Sequence, residues 1–398
     1  MVFSIVLIGL SAVNATDPAT TNNTTLNSTN GTALHNTSKV TKQSTSVMKG
    51  YWMFSQDVNS ANATKLKSKG ITDVFVLTRG VTGVYHYKEL QAAIKKFHPY
   101  GIKVHAWIVC FKDDNHFVNP SGCYSYTVKV YVKTTKYLST KKIAYKVKTK
   151  KWYKSWYKSW HKYCGKWRYT WSYTWKYTWK YATKYKYKKA WKYKPVYRYE
   201  KRTGHNLTYN NQLISEIASI ARKYNIDGIH LDYVRYSGTA KYGNAAYQQP
   251  GGVDAAVNAV TAFVRSVSSK INSTNNLDIT GKPHIKLSAA VMPEGVKNTY
   301  YYGQDYGKLT NYLDFLVPMT YQGNYNANNA WITKQIQYIV SEVKGKPVYA
   351  GLTTYCSDSN LKSVSLNALQ NDVNSAKIGG AAGFVLFRYN FGCSYVPT

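Results

Sequence analysis

The stretch richest in chemistry is Ile226–Tyr236, IDGIHLDYVRY. It predicts a short buried strand that ends on an acid. Alternation along a strand puts His230 and Asp232 on one face and Ile229 and Leu231 on the other. Asp232 then stands at the carboxyl end of its strand, where a β/α barrel keeps its chemistry. A carboxylate held there can exchange a proton or act as a nucleophile. The structural alternative is that Asp232 caps the next helix or pairs with Arg235. A second acid, Glu294, ends the run KLSAAVMPEG. Ala290, Met292 and Glu294 share one parity, which turns Glu294 into the mouth if the strand runs that far and leaves it a solvated loop residue if it does not. Asp227, just before Gly228, reads as a turn residue.

The elements that must position these acids alternate from Gly50 onward as strand, helix, strand, helix, the signature of a parallel sheet. The strands are GYWMFS, TDVFVLTRG and KVHAWIVCF, then the stretch bearing Asp232, then KLSAAVMPEG, DFLVPMTYQG, KPVYAGLTTY and AAGFVLFRYNF. Between them YKELQAAIKKFHPYG sets Leu90, Ala93, Ile94 and Phe97 on one side, and VDAAVNAVTAFVRSVSSKI sets Val257, Val260, Val264 and Val267 at helical spacing. LTYNNQLISEIASIARKYN and WITKQIQYIVSEVKG are further helices, and a shorter one is expected around Tyr306 to Tyr312. Eight strands predict an α/β fold of the (β/α)8 barrel type, in two parts over 49–119 and 206–398. Little chain follows the eighth strand, so an eighth helix is expected to be missing.

Residues 120–205 interrupt the barrel rhythm after the third strand. Between Tyr124 and Thr203 lie 25 of the 53 Lys and Arg residues against one acid, Glu200, so about two thirds of the net +35 charge is concentrated there. From Tyr169 to Tyr181 every odd position is aromatic, a period of two that predicts a β-ribbon with one aromatic face. The alternative is a low-complexity segment that orders only on a partner. Such a surface can stack on the rings of an anionic wall glycan, grip single-stranded nucleic acid or self-associate. Export favours the wall, with self-association next and nucleic acid last.

Residues 1–15, MVFSIVLIGLSAVNA, resemble a signal peptide, and 16–48 form a Thr/Asn/Ser-rich linker with several Asn-X-Ser/Thr triplets, too polar to pack. The expectation is a secreted or cell-surface protein with no membrane span in the mature chain. Under export Cys356 and Cys393 are expected to pair, and Cys123 with Cys164, leaving Cys110 in a strand; free buried thiols are the alternative. No spacing fits a metal site, and no cofactor is indicated.

DGIHLDYVRY, VMPEG, GQDYGKLTNYLDFLVPMTY and GFVLFRYNF together resemble the glycoside-hydrolase-like barrels of cell-envelope proteins, over about residues 50 to 115 and 205 to 392. The polar start and the basic aromatic insertion are similar to surface proteins of methanogenic archaea. The barrel resemblance implies cleavage of a glycosidic bond by two carboxyl groups, with Asp232 as nucleophile or base and Glu294 as acid. It implies subsite contacts from Asp57, Arg79, His105, Trp107, His230, Arg235, Tyr321, Gln322, Tyr355 and Arg388, with Arg79 and Arg388 suited to acidic sugars. The pattern also resembles chitinase-type barrels in Asp227, Gly228, Asp232, Met319 and Tyr321. It departs from them at His230, Val234 and Gln322, where that motif carries acids, including its proton donor. These readings imply a glycosidase acting on an anionic envelope polysaccharide, with pseudomurein as the candidate. The alternative is a catalytically idle barrel serving as a wall-binding or adhesin-like protein.

Overall fold

The computed structural model describes residues 47–238, 251–276 and 284–393. The predicted signal peptide and all but the end of the predicted linker lie outside the described residues. The barrel opens with β1 (Met48–Met53), α1 (Ala63–Ser68), β2 (Asp73–Arg79), α2 (Tyr87–Phe97) and β3 (Lys103–Val109). Then come a small hairpin, β4 (Lys112–Asp113) with β5 (His116–Phe117), and a very long one, β6 (Cys123–Tyr163) with β7 (Lys166–His205). The barrel resumes with α3 (Thr208–Lys223), β8 (Gly228–Asp232), α4 (Gly252–Asn276) and β9 (Lys286–Val291). It continues through α5 (Asn298–Tyr302), α6 (Tyr306–Leu309), β10 (Phe315–Pro318), α7 (Asn329–Glu342) and β11 (Tyr349–Thr353). A hairpin of β12 (Tyr355–Ser357) and β13 (Asn360–Ser363), α8 (Leu366–Ile378) and β14 (Gly383–Phe387) complete it. No helix follows β14 among the described residues.

The eight long parallel strands run in the order β10, β9, β8, β3, β2, β1, β14, β11. Bridges from Leu316 to Val348 and from Met319 to Gly351 join the two ends and close the barrel. The strands are apolar along most of their length because both faces are buried, as a parallel sheet requires. Met53, Val74, Val76, Ile108 and Leu231 pack outward against the helices, and Trp52, Phe75, Trp107, Phe315 and Val385 fill the interior. His105 and His230 belong to that inner set: Phe75 stacks on His105 at 4.6 Å and meets His230 edge-on at 4.7 Å.

The Asp-Gly pair that opens β8 is explained by packing. The Asp227 carboxylate accepts from the Val104 amide and from His98, each at 2.8 Å, and so anchors the turn. A Cβ on Gly228 would stand 2.2 Å from His105 Nδ1 and 2.9 Å from the Lys286 carbonyl. His105 cannot yield easily, since its other ring nitrogen is held 2.8 Å from the buried Asp73 carboxylate.

The β6–β7 hairpin is a unit by itself, residues Ser125–Thr203. Cys164 and Gly165 turn it with φ of 49° and 74°, the left-handed pair of a two-residue type I′ turn. Trp160 meets Tyr169, Trp156 meets Tyr173 and Trp152 meets Tyr177, at ring separations of 5.0, 4.9 and 5.0 Å. Lys158 and Lys154 lie between these pairs and Lys150 beyond the last of them, with Nζ 4.2, 4.2 and 4.3 Å from the same three tyrosine rings. Each cross-strand pair contributes roughly 0.2–1 kcal/mol, which a two-stranded ribbon without a core needs in series. The predicted aromatic row on β7 is therefore faced by alternating Trp and Lys from β6.

The expected disulfides are absent: all five cysteines are free thiols. Cys123 begins a 41-residue strand and Cys164 is in the turn at its far end, roughly 130 Å away at about 3.3 Å per residue, whereas a disulfide needs Cα atoms within about 7 Å. Cys393 is buried in the outer core, while Cys356 lies half-buried on the β12–β13 hairpin.

Gly228→Ala is expected to destabilise the barrel by about 1–3 kcal/mol, the usual cost of overpacking, seen as a lower denaturant midpoint at unchanged slope. An unchanged midpoint would contradict the packing reason for the glycine.

Candidate active site

Asp232 is the last residue of β8 and faces inward, on the same side as its neighbour Trp107 on β3. Its Oδ2 accepts from Trp107 Nε1 at 3.0 Å and its Oδ1 from the Tyr233 amide at 2.7 Å. Tyr233 adopts φ 51°, a left-handed conformation that costs a bulky side chain on the order of 1–3 kcal/mol and gathers at functional sites. Burial pushes the Asp232 carboxyl above the usual carboxylate range, against the pull of those two hydrogen bonds and of the Arg235 and Lys112 charges.

Glu294 follows β9, the strand next to β8, and begins a short 3-10 turn. The Tyr302 hydroxyl donates to its Oε1 at 3.3 Å. Burial raises this carboxyl as well, opposed by Tyr325, Tyr302, Lys297 and Arg235. Arg235 connects the two acids. Its guanidinium lies 5.0 Å from the Tyr302 ring, and its charge acts on both carboxyls. The site thus holds one buried and one partly buried carboxyl group, at the end of β8 and just past the end of β9, with the Arg235 charge acting on both. Two carboxyl groups can divide the roles of proton donor and of charge-stabilising or attacking carboxylate.

The structure brings some of the other predicted site residues to this mouth. Trp107 stacks on Phe54 at 5.6 Å, and Tyr321 stacks on Phe387 at 5.7 Å with its phenol in the field of Asp232. Tyr355 donates to Asp358, and Arg388 lies over Phe54 and Phe391 in the field of Asp57. Others are elsewhere. His105 is in the first half of β3, paired with Asp73, and His230 is wholly buried with Nδ1 on Ser288. Burial drives the His230 imidazole well below its usual pKa, so it stays neutral. Gln322 donates to Asp372 on α8 at 2.6 Å. Arg79 is occupied by the Val109 and Lys112 carbonyls, Asp113 and the Tyr209 hydroxyl, and so braces the β4–β5 hairpin. The sequence reading missed Lys112, Tyr233, Tyr302, Tyr325 and Asp358. Only the run of aromatics and charges around them hinted at their place.

Comparison with known proteins agrees with this architecture. Residues 191–378 match the family Glycosyl hydrolases family 18. An uncharacterized glycosylase of Bacillus subtilis is 24% identical over 182 residues, which are 42% of this chain and 45% of that protein. The chain thus spans less than half the length of the curated relative it matches. The crystal structure of a class V chitinase from Pseudomonas fluorescens superposes with a TM-score of 0.50 at 12% identity, over 88% of this chain and 97% of the other, and shows the shared fold.

The raised Asp232 carboxyl has a consequence for stability. Below the ordinary carboxylate range both folded and unfolded chains hold the proton, and nothing is lost. As pH rises through the folded-state value, the buried charge appears and stability falls. Asp232→Asn should therefore melt at a higher temperature than the wild type at pH 7, with the gap closing by about pH 3, below the ordinary aspartate value. The same gap at both pH values would contradict the burial account.

Proposed function

We propose that this barrel, whose residues 191–378 match the family Glycosyl hydrolases family 18, hydrolyses a glycosidic bond of an envelope polysaccharide with Glu294 and Asp232. Glu294, whose carboxyl burial raises above the usual range against the pull of Tyr325 and Tyr302, gives its proton to the glycosidic oxygen as the C–O bond breaks. Asp232 meets the positive charge that grows at the anomeric carbon, by attack or by activating a water. Water supplies the hydroxyl of the new reducing end; its proton goes to Glu294 where Asp232 has attacked, and to Asp232 where Asp232 has activated the water, with solvent then returning the proton to Glu294. Trp107 fixes the Asp232 carboxylate and supplies an aromatic wall, with Tyr321 and Phe387 as further stacking surface. The observation that carries this reading is the pair of acids, one buried and one partly buried, at the end of β8 and just past the end of its neighbour β9.

The β6–β7 hairpin suits a tether to an anionic polymer: its tryptophan and tyrosine rows offer stacking faces and its lysines offer charge. Secretion and action at a cell wall, with pseudomurein as candidate, belong to the same proposal. The second reading is an idle barrel that only binds. One observation favours it: Val234 stands where the chitinase-type motif has its acid, and it is buried in the outer core.

Asp232→Asn and Glu294→Gln should each lower the release of reducing ends from isolated walls by about 10²- to 10⁴-fold, the usual worth of a positioned acid or base. Unchanged release in both would refute the glycosidase. No release from any glycan by the wild type, with tight wall sedimentation, would establish the binding reading.

Replacing Lys150, Lys154 and Lys158 by glutamine should weaken sedimentation with anionic walls and leave hydrolysis of a short soluble substrate unchanged. Equal sedimentation would remove the tether.

A further inference from the structure

Arg79 and Arg388 were the arginines that the sequence offered for an acidic sugar, and Arg79 is fully engaged in bracing a loop. The site has two other cations. Lys112 and Arg235 are each only 7% exposed. Lys112 Nζ lies 5.6 Å from the Phe117 ring and 5.4 Å from the Tyr233 ring. Arg235 Cζ lies 5.4 and 5.2 Å from the same two rings. Lys112 and Arg235 thus share one aromatic pair. Arg235 Nη1 donates to the backbone carbonyls of Tyr236 and Gly238. Among the described residues no carboxylate lies within ion-pair distance of either cation, and no hydrogen bond is made by the Lys112 ammonium.

Two like charges packed together and shielded from water are unfavourable unless an anion joins them. Asp232 supplies one negative charge, already hydrogen-bonded to Trp107 and the Tyr233 amide. With Asp232 ionised, the group of three still carries a net positive charge. Burial and the nearby Arg235 charge lower the Lys112 pKa, with Asp232 pulling the other way. A ligand anion would relieve the same conflict.

We infer that Lys112 and Arg235 form a subsite for an acidic substituent on the sugar bound beside Asp232, so that the substrate carries a carboxylate or a like anion next to the bond that is cleaved. This rests on the glycosidase reading for its place in catalysis, but the binding itself does not depend on turnover. The planar guanidinium is suited to one edge of a carboxylate and the ammonium to the other oxygen, with Phe117 and Tyr233 as the floor. The tether on the hairpin also attracts anions, so the test must read the barrel mouth alone.

The indole N–H signal of Trp107, assigned through Trp107→Phe, provides that readout in an NMR titration of the full chain. Methyl glucuronoside should move it saturably and with at least tenfold higher affinity than methyl glucoside. The preference should vanish in Lys112→Met, which keeps the length and apolar stem of the side chain, and persist in Lys112→Arg. Equal binding of the two sugars by the wild type, or an intact preference in Lys112→Met, would overturn the subsite. Sulfate displacing the signal as well as the glucuronoside would overturn the sugar assignment and leave a plain anion site. Loss of the preference in Lys112→Met without any glycan cleavage by the wild type would keep the subsite and sink the glycosidase. Cleavage with no preference for acid would do the reverse.

Discussion

The site depends on the cost of holding a carboxylate away from water at the end of a strand. Asp232 sits inside the barrel mouth, and a charge there is tolerated only because an indole N–H, a backbone amide and two cations face it. Each of those partners has its own structural requirement. The indole needs Trp107, two residues before the end of β3, in register beside His230 of β8. The amide needs Tyr233 in a left-handed conformation. Lys112 needs the β4–β5 hairpin folded over the mouth, which Arg79 secures through the Lys112 carbonyl. A single buried charge thus draws on β2, β3, β8 and the loop between β3 and β6.

The hairpin is stabilised by different physics from the barrel. The barrel buries continuous apolar runs on both faces of its strands. The ribbon has no interior, and its large aromatics remain exposed. It is held by ladder hydrogen bonds, ring pairs and ammonium groups laid on tyrosines, and those same lysines and rings form the surface available to a partner. An anionic chain bound there would exchange intramolecular cation–π contacts for ion pairs, so its affinity should be sensitive to salt.

The barrel strands were legible in the sequence because buried parallel strands read as apolar runs, and Asp232 was legible because alternation fixes which side chains turn inward. Glu294 could be placed only to within a parity argument, since it lies beyond the end of β9. The helix Leu366–Ile378 and the β12–β13 hairpin before it were not delineated, as their apolar spacing is weak and the hairpin is short. The roles of Arg79, His105 and Gln322 were not legible for a common reason. Each is engaged by a partner distant in sequence: Arg79 by Lys112 and Tyr209, His105 by Asp73, Gln322 by Asp372. A strand-end position alone does not say whether a polar side chain is free. The disulfides failed for a geometric reason in one case, because a hairpin places Cys123 and Cys164 at opposite ends of one strand.

The central claim is that Glu294 holds the catalytic proton while Asp232 is ionised. The pH dependence of kcat/KM for the wild type, set beside Glu294→Gln, tests it most directly. The account predicts a bell whose basic limb lies above the ordinary glutamate range, because burial raises Glu294, and whose acidic limb reports Asp232 losing its proton. The small residual activity of Glu294→Gln should keep the acidic limb and lose the basic one. A basic limb that persists unchanged in Glu294→Gln would show that the proton comes from another group and would contradict the pairing of these two acids.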